Sequence, residues 1–154
     1  MSAQKGFTLI ELMVVVAIST ILLMVAIPSF NDSLARRRLE GVTIELGADL
    51  QYARTQAISN NANVWLATSA TGYTVAGTTP GGNVNYKTIT LDTGLSMTHP
   101  STVTFSAFRG FADSTATFTV SSTQTSAQAQ ISTDAVGRVQ TCSPGGSLKG
   151  YPTC

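Results

Sequence analysis

An apolar run from Phe7 to Phe30 constrains the fold of this 154-residue chain more than any other feature. Glu11 is the only ionisable side chain in the run, and Pro28 is its only proline. About 20 apolar residues in a helix span a lipid bilayer. An amphipathic helix of a soluble core would instead show a polar face, which is not seen here. The run therefore predicts a membrane-spanning helix, and the charge of Glu11 inside it requires an explanation.

A second pattern extends the helix beyond the apolar run. Apolar residues recur at spacings of three and four, which marks one helix face: Ala35, Leu39, Val42, Leu46, Leu50, Ala53 and Ala57. The residues between them predict a solvated face: Arg36–Arg38, Glu40, Glu45, Asp49, Gln51, Arg54 and Gln56. Asn60 and Asn61 are a stop signal, so we expect one helix over residues 8–59. Pro28 can kink it, because proline removes one backbone hydrogen bond.

After Asn63 apolar residues alternate with Thr, Ser and other polar residues. A period of two predicts short antiparallel strands, and Gly and Pro mark the turns between them. The predicted strands are Val64–Thr68, Tyr73–Ala76, Tyr86–Leu91, Thr102–Phe105, Ala116–Ser121 and Ala127–Thr133. A Ser/Thr-rich glycosylated stalk is the alternative, but the interleaved Phe, Val and Ile favour packed strands. The fold class is therefore α+β, with one long N-terminal helix packed on a small antiparallel β-sheet domain.

Charge and cysteine content narrow the classes of function. The net charge is +1, from nine basic and eight acidic residues, which argues against strong, diffuse binding of nucleic acid but leaves a small local patch open. Cys142 and Cys154 are the only cysteines and flank a Gly/Pro-rich loop. Their position favours a disulfide in an oxidising compartment over two free thiols.

Catalytic and metal sites have little support in the sequence. His99 is the only histidine, whereas nucleophilic catalysis needs a serine or cysteine beside a base. Asp92, Asp113 and Asp134 are scattered without the spacing of a calcium loop. We therefore expect no enzyme, no metal and no cofactor.

The charges that flank the apolar run leave its orientation open. Lys5 precedes the run, and Arg36–Arg38 follow it. The positive-inside rule would keep the arginines in the cytoplasm. A disulfide between Cys142 and Cys154 would instead place the C-terminal domain in an oxidising compartment.

The residues around Gly6 carry a specific motif. The polar leader MSAQKG is followed at once by FTLIEL, residues 7–12, and no A-x-A-like cleavage site of a secretory signal follows the apolar run closely. This pattern resembles the class III signal of type IV prepilins and type II secretion pseudopilins. The resemblance implies that a prepilin peptidase cleaves between Gly6 and Phe7, that Phe7 is then N-methylated, and that the apolar helix is retained.

The same resemblance implies a location and partners. It implies a single-pass inner-membrane protein whose C-terminal domain faces the periplasm, and which lies in a pilus or pseudopilus after assembly. The implied partners are other pilin or pseudopilin subunits, the prepilin peptidase and an inner-membrane assembly platform.

Cleavage would give Glu11 a partner. The Phe7 amine and the Glu11 carboxylate would lie about one helical turn apart. A charge inside a bilayer costs about 3 kcal/mol on insertion scales, and pairing of Glu11 with Phe7 N of the same or an adjacent subunit would recover part of that cost. The alternative is an acid tolerated because helix N-termini favour negative charge. The surrounding motif favours a role in assembly.

Residues 60–154 resemble a narrower group more weakly, the H-type (GspH) pseudopilins and FimT/FimU-like minor pilins. The stretches that carry this resemblance are LGADLQYARTQAIS (46–59), VTFSAFRGFADSTATFTV (103–120) and ISTDAVGRVQTCSPGG (131–146). FimT-like proteins contribute to DNA uptake in transformable bacteria, where a C-terminal Gly-Arg-x-Arg motif is associated with DNA binding. Here Gly137, Arg138 and Val139 fit that motif, but Gln140 replaces the second arginine.

The candidate DNA contacts are therefore Arg138 and Lys149, joined by Arg109 and Lys87 if the fold brings them near. With so few cations, binding of double-stranded DNA would be weak, non-specific and sensitive to salt. The alternative is that Arg138 caps a turn and Lys149 is a solvated loop residue.

The sequence thus predicts four segments: a leader (1–6), a transmembrane and assembly helix (7–30), the amphipathic half of the same helix (31–60), and a periplasmic β domain (61–154) that ends in a disulfide loop. The expected function is that of a minor pilin, incorporated into a type IV pilus or priming its assembly. The alternatives are an H-type minor pseudopilin of a type II secretion system and a DNA-binding receptor subunit at a pilus tip. A major pilin also remains open.

Overall fold

The computed structural model describes residues 6–98 and 102–154, so His99 and the leader residues 1–5 lie outside the described residues. The chain divides into two compact units, one ending at Leu34 and one running from Ala35 to Cys154. A single 51-residue helix, α1 (Leu9–Ser59), begins in the first unit and ends in the second. The prediction of one long helix is confirmed, and the helix continues through Pro28 without interruption.

In the first unit the described side chains of α1 leave their apolar surface uncovered. An 18-residue window is long and apolar enough to cross a membrane, and none of it is buried. The hydroxyls of Ser19 and Thr20 donate to the backbone carbonyls of Val15 and Val16, each at 2.7 Å. Such bonds satisfy polar groups within the helix itself, as an apolar environment demands.

The second unit contains two four-stranded antiparallel sheets. The strands of the first are β1 (Val64–Ser69), β2 (Gly72–Thr79), β3 (Gly82–Thr90) and β5 (Thr102–Phe105), in the order β3-β2-β1-β5. The strands of the second are β4 (Leu95–Thr98), β6 (Ala116–Ser122), β7 (Gln128–Thr133) and β8 (Val139–Cys142), in the order β4-β6-β7-β8. A 3₁₀ turn, Pro144–Gly146, follows β8.

All six predicted strands are present, and two strands were missed. β5 is as short as β4 and β8, but its Val103 and Phe105 alternate with threonines, whereas neither β4 nor β8 has two β-branched or aromatic apolar residues to mark a strand. β3 begins at Gly82, four residues before the predicted start at Tyr86. The prediction missed these first residues because they are exposed and mostly polar, without the apolar alternation of a buried strand.

One face of α1 forms the centre of the core. Leu39, Leu46 and Leu50 are completely buried, and they belong to one cluster with apolar residues of both sheets, including Phe105, Phe118, Ile131, Val64 and Leu66. The predicted apolar face is confirmed except at one position, since Val42 is half-buried while Thr43 is buried.

Asp49 corrects the prediction of a wholly solvated opposite face. Asp49 is only 6% exposed, and its carboxylate accepts three hydrogen bonds. The Tyr73 hydroxyl donates to Oδ2 at 2.7 Å, and Lys87 Nζ lies 3.0 Å from Oδ1 and 2.8 Å from Oδ2. Lys87 also contacts Glu45 Oε1 at 3.0 Å. A buried charge must be paired in this way, so the cluster joins α1 to β2 and β3.

This cluster predicts that stability falls in alkaline solution. Burial, with help from the Asp49 carboxylate, raises the pKa of Tyr73 above its ordinary value of 10.0. The hydrogen bond to Asp49 likewise raises the pKa of Lys87 above 10.5. Above these ordinary values the unfolded chain loses protons that the folded chain keeps, so the free energy of unfolding decreases as pH rises. The contribution of Lys87 is fully present below pH 10.5 and is lost through its raised pKa.

Chemical unfolding of the full chain in detergent micelles from about pH 8 to about pH 12, followed by Trp65 fluorescence, measures this dependence. A Tyr73→Phe variant should be less stable at the lower pH, because Asp49 loses a donor, but should show a shallower decline. An equally steep decline in Tyr73→Phe would contradict the assignment to Tyr73.

The predicted disulfide is confirmed between Cys142 and Cys154, which are 12 residues apart in sequence. It closes the C-terminal loop, within which the Ser143 backbone N–H donates to the Pro152 carbonyl at 2.8 Å. Because the cross-link restricts the unfolded chain, we expect its loss to lower the free energy of unfolding by about 3 kcal/mol. Urea unfolding of a Cys142→Ser/Cys154→Ser variant measures the change. A reducing agent should destabilise the parent chain equally and leave this variant unaffected, and a stabilised reduced chain would refute the expectation.

Candidate assembly segment and basic surfaces

Glu11 has a local partner at the start of α1. The backbone N–H and the hydroxyl of Thr8 both donate to Glu11 Oε2 at 3.1 Å, and the Glu11 N–H lies 3.3 Å from Thr8 Oγ1. This reciprocal arrangement is a capping box, in which two unpaired donors of the first helical turn are satisfied together. The sequence Thr8-Leu-Ile-Glu11 carries this pattern, which the sequence analysis did not recognise.

The capping box uses only one of the two oxygens of the Glu11 carboxylate. Both bonds from Thr8 end on Oε2, and in the described part of the chain Oε1 accepts no hydrogen bond and no ion pair. A carboxylate offers about four lone-pair sites. Oε1 of Glu11 is therefore available to a donor from outside this subunit.

Gly6 and Phe7 precede the helix. A Cβ atom at Gly6 would meet no atom within 4 Å, and its backbone is not in the left-handed region that favours glycine. The fold thus gives no steric reason for a glycine here. Phe7 is 90% exposed.

The structure separates the four residues that were put forward as DNA contacts. Lys87 lies on β3 and is engaged by Asp49 and Glu45. Lys149 lies in the C-terminal loop, two residues after Ser147, whose carbonyl accepts from Arg36 Nη1 at 2.6 Å. Arg138 instead lies beside the last turns of α1.

The loops that carry Arg138 and Arg109 pack on the helix at Arg54. Arg54 Nη1 donates to the Gly137 carbonyl at 3.3 Å, and a groove of 380 Å³ lies between the last turns of α1 and the Gly137–Arg138 segment. Gly110 and Gly137 both have positive φ, and a Cβ at Gly137 would lie 2.8 Å from the Gly110 carbonyl oxygen. Glycine at both positions therefore lets the two loops approach each other and Arg54.

We call Arg54, Arg109 and Arg138 the helix-end basic surface. Arg36 and Arg54 are eighteen residues apart on α1, which is about 27 Å of helix axis. Arg138 and Lys149, both put forward as DNA contacts, therefore lie on loops that pack at opposite ends of this helical segment. The loops of Arg109 and Arg138 lie side by side, next to Arg54, which the helix pattern had placed on a solvated face.

Arg138 shares its charge with neighbouring residues. Its backbone N–H donates to Asp134 Oδ1 at 2.7 Å, and its Nε lies 3.4 Å from Asp134 Oδ2. With its amide oxygen turned toward the guanidinium, Gln140 accepts from Arg138 Nη2 at 2.8 Å and from Nε at 3.2 Å. These contacts agree with the alternative in which Arg138 stabilises a turn, although its side chain is still 69% exposed.

The other two arginines of the helix-end basic surface have fewer partners. The Arg109 guanidinium lies 4.8 Å from the ring centre of Phe108, a cation–π contact, and Phe108 is 71% exposed. Arg54 Nε is buried and has no hydrogen-bond partner in the described structure. No sequence signal singled out Arg54 or Phe108, because their positions depend on how the loops pack on α1.

No residues described here suggest a metal centre. Within residues 6–98 and 102–154, no group of three or more His, Cys, Asp or Glu side chains could hold a metal ion.

Two protein-family models match the chain. Residues 1–27 match the prokaryotic N-terminal methylation motif, and residues 43–137 match the type II transport protein GspH. With the long helix and the antiparallel sheets, these matches define a member of the type IV pilin and pseudopilin superfamily. Because the second match covers more than half of the chain, the protein belongs to the GspH family.

Curated relatives match over a shorter stretch. The type IV major fimbrial protein FimA of Dichelobacter nodosus is 55% identical over 53 residues, which are 34% of this chain and 33% of that protein. FimA of Dichelobacter nodosus strain VCS1703A gives the same values. The chain thus spans about a third of the length of the curated relatives it matches.

Solved structures show the same fold. The minor pilin FimU of Pseudomonas aeruginosa strain PAO1, crystallised in space group P21, superimposes with a TM-score of 0.58 at 22% identity, over 71% of this chain and 94% of FimU. A second FimU crystal form gives 0.55 at 23% identity, over 69% and 97%. At this identity the likeness establishes the fold alone.

Proposed function

We propose that this protein is a minor pilin that is cleaved between Gly6 and Phe7 and then enters a type IV pilus or primes its assembly. The observation that carries the proposal is the free Oε1 of Glu11, in a helical segment whose apolar surface is wholly uncovered. Such a segment needs lipid or other helices around it. The role is structural, without an enzymatic reaction.

Cleavage would create a matching donor. The Phe7 amine would become the new N-terminus, one residue before Thr8, with three hydrogens to donate before N-methylation and two after it. Oε2 of Glu11 already accepts from Thr8, so Oε1 can accept from the Phe7 amine of an adjacent subunit without loss of the helix cap. Such a pair would form only when neighbouring helices have the correct axial stagger. The absence of any steric need for Gly6 supports its use as a recognition residue of the prepilin peptidase.

The same proposal assigns a location. Before assembly, the subunit would be anchored in the inner membrane with its β domain in the periplasm, an oxidising compartment in which the Cys142–Cys154 disulfide is stable. Phe7 would be N-methylated after cleavage. An inner-membrane assembly platform and other pilin subunits would be its partners before and during filament growth.

An H-type minor pseudopilin of a type II secretion system is the second candidate, and the GspH family assignment favours it. The same pairing of Glu11 would serve a pseudopilus. Deletion of the protein distinguishes the two, because loss of surface pili indicates a pilus subunit and loss of protein secretion indicates a pseudopilin.

A third candidate, weak and non-specific binding of double-stranded DNA at a pilus tip, is supported by the helix-end basic surface. The loops that carry Arg109 and Arg138 pack beside Arg54, and the exposed ring of Phe108 supports the Arg109 guanidinium. Three cations give limited affinity, and Gln140 competes with phosphate for Arg138.

The assembly role of Glu11 predicts different outcomes for three variants. Glu11→Gln keeps a capping side chain at this position but removes the charge. Breaking one partner of a buried ion pair costs about 3–5 kcal/mol, so we expect at least a tenfold loss of the subunit from sheared filaments, as for Glu11→Ala. Thr8→Val removes the cap but keeps the charge, so its incorporation should stay near normal. Immunoblots of filament and membrane fractions measure the ratio. Normal incorporation of Glu11→Gln, with loss in Thr8→Val, would show that only the cap matters.

The DNA candidate predicts a gel-shift by the full chain in zwitterionic detergent at low salt. For three phosphate contacts, the slope of log affinity against log salt should be about −3. Arg109→Gln/Arg138→Gln should abolish the shift, and Gln140→Arg should strengthen it and steepen the slope by about 1. Arg37→Gln/Arg38→Gln removes the same charge at the other end of the helical segment and should have no effect. A shift that depends equally on both pairs would exclude a DNA site at the helix end.

A further inference from the structure

We propose that Arg37, Arg38 and Lys149 form a binding surface for the anionic headgroups of phospholipids, and we call it the anchor-side basic surface. The proposal rests on the membrane anchoring of the apolar run and not on the assembly role of Glu11. It concerns the subunit before it enters a filament.

Two distant segments of the chain build this surface. Arg36 Nη1 donates to the Ser147 carbonyl at 2.6 Å, and Leu148, the next residue, is buried with 2% exposure. Further along the loop, burial and the charge of Glu40 raise the pKa of Tyr151, which therefore lies near that turn of α1. These contacts hold the C-terminal loop against the start of the second unit. Lys149, between them, is fixed at the same end as the arginines.

The three cations are exposed and have no partner among the described residues. Arg37, Arg38 and Lys149 are solvent-exposed, and within residues 6–98 and 102–154 none of them makes an ion pair or a side-chain hydrogen bond. Other basic side chains of this unit are engaged, as Lys87 is by Asp49 and Arg138 by Asp134. The guanidinium and ammonium groups of the anchor-side basic surface are therefore available to bind an anionic ligand.

Basic residues outnumber acidic residues around this surface, although the chain as a whole has a net charge of only +1. Arg36, Arg37, Arg38 and Lys149 contribute four positive charges. The acids nearest to them on α1 are Asp32 and Glu40. A local excess of cations beside a membrane anchor is the arrangement by which proteins hold anionic lipid.

The position along α1 suits a headgroup. Arg37 follows Phe30, the last residue of the apolar run, by only seven residues in the sequence. Long basic side chains near the end of a membrane span extend to reach the interface. An arginine guanidinium binds a phosphate through two parallel hydrogen bonds, which suits the phosphodiester of a lipid.

Lipid binding also explains an anomaly in the sequence. In the orientation proposed above, Arg36–Arg38 lie on the side of the membrane that the positive-inside bias disfavours. Phospholipid phosphates on that side would give these arginines a favourable interaction that the bias alone does not include.

The test uses the mature full-length chain in nanodiscs that contain equal amounts of phosphatidylglycerol and phosphatidylcholine. Lipids that stay bound after release of the monomer are counted by native mass spectrometry. Each cation near an anionic surface strengthens binding roughly fivefold. We therefore expect phosphatidylglycerol to be retained at least tenfold over phosphatidylcholine, and Arg37→Gln/Arg38→Gln to remove most of that preference. Lys149→Gln alone should reduce it several-fold.

Arg109→Gln/Arg138→Gln is the matched control, because it removes the same charge from the helix-end basic surface and should keep the preference. All the substituted side chains are exposed, and unchanged Trp65 fluorescence and thermal unfolding will confirm that the variants fold. Equal retention of the two lipids by the parent chain, or an equal loss in the control variant, would overturn the proposal. So would an Arg37→Gln/Arg38→Gln variant that keeps its lipid preference but fails to enter filaments, which would assign the surface to contacts between subunits. Glu11→Gln should keep the preference, so failure of the assembly proposal would be seen separately.

Discussion

The burial of the Asp49 carboxylate fixes the register of α1 against the β-sheets. Its three bonds, from Tyr73 on β2 and Lys87 on β3, allow only one axial position of the helix. Both basic surfaces follow from that register. With Asp49 fixed, Arg54 meets the loops of Arg109 and Arg138, and Arg36 meets the C-terminal loop. A chain with a net charge of +1 thus presents two separate positive regions.

Simple repetition made most of the fold predictable from the sequence. The apolar run and the three-and-four spacing from Ala35 to Ala57 gave the helix to within one residue at its start. Alternation in segments such as Ala116–Ser122 gave the longer strands. β4 and β8 were missed because neither has the pair of β-branched or aromatic apolar residues that marks the equally short β5. Asp49 was assigned to the wrong environment because a carboxylate normally faces solvent, and its partners are 24 and 38 residues away.

The candidate sites show the same limit. Gly6, Phe7 and Glu11 could be proposed as processing and assembly residues because the motif that suggests these roles is carried by a few consecutive residues. The disulfide could be predicted because two cysteines allow only one pairing. The basic residues could be listed but not grouped, because the grouping of Arg54 with Arg138 depends on the close approach of Gly110 and Gly137. The sequence also could not show that both bonds from Thr8 end on the same oxygen of the Glu11 carboxylate, because this depends on the rotamer of the side chain.

If Glu11 pairs with a neighbouring amine as proposed, this division of its carboxylate lowers the entropic cost of that pairing. A free glutamate side chain loses rotamer freedom worth up to about 2 kcal/mol when it is fixed, and binding partners that are already ordered avoid this entropic penalty on association. Thr8 holds Oε2 before any neighbour arrives, so Oε1 is presented in one orientation from the outset. The helix cap of the monomer thus preorganises the Glu11 carboxylate as a hydrogen-bond acceptor for an incoming amine.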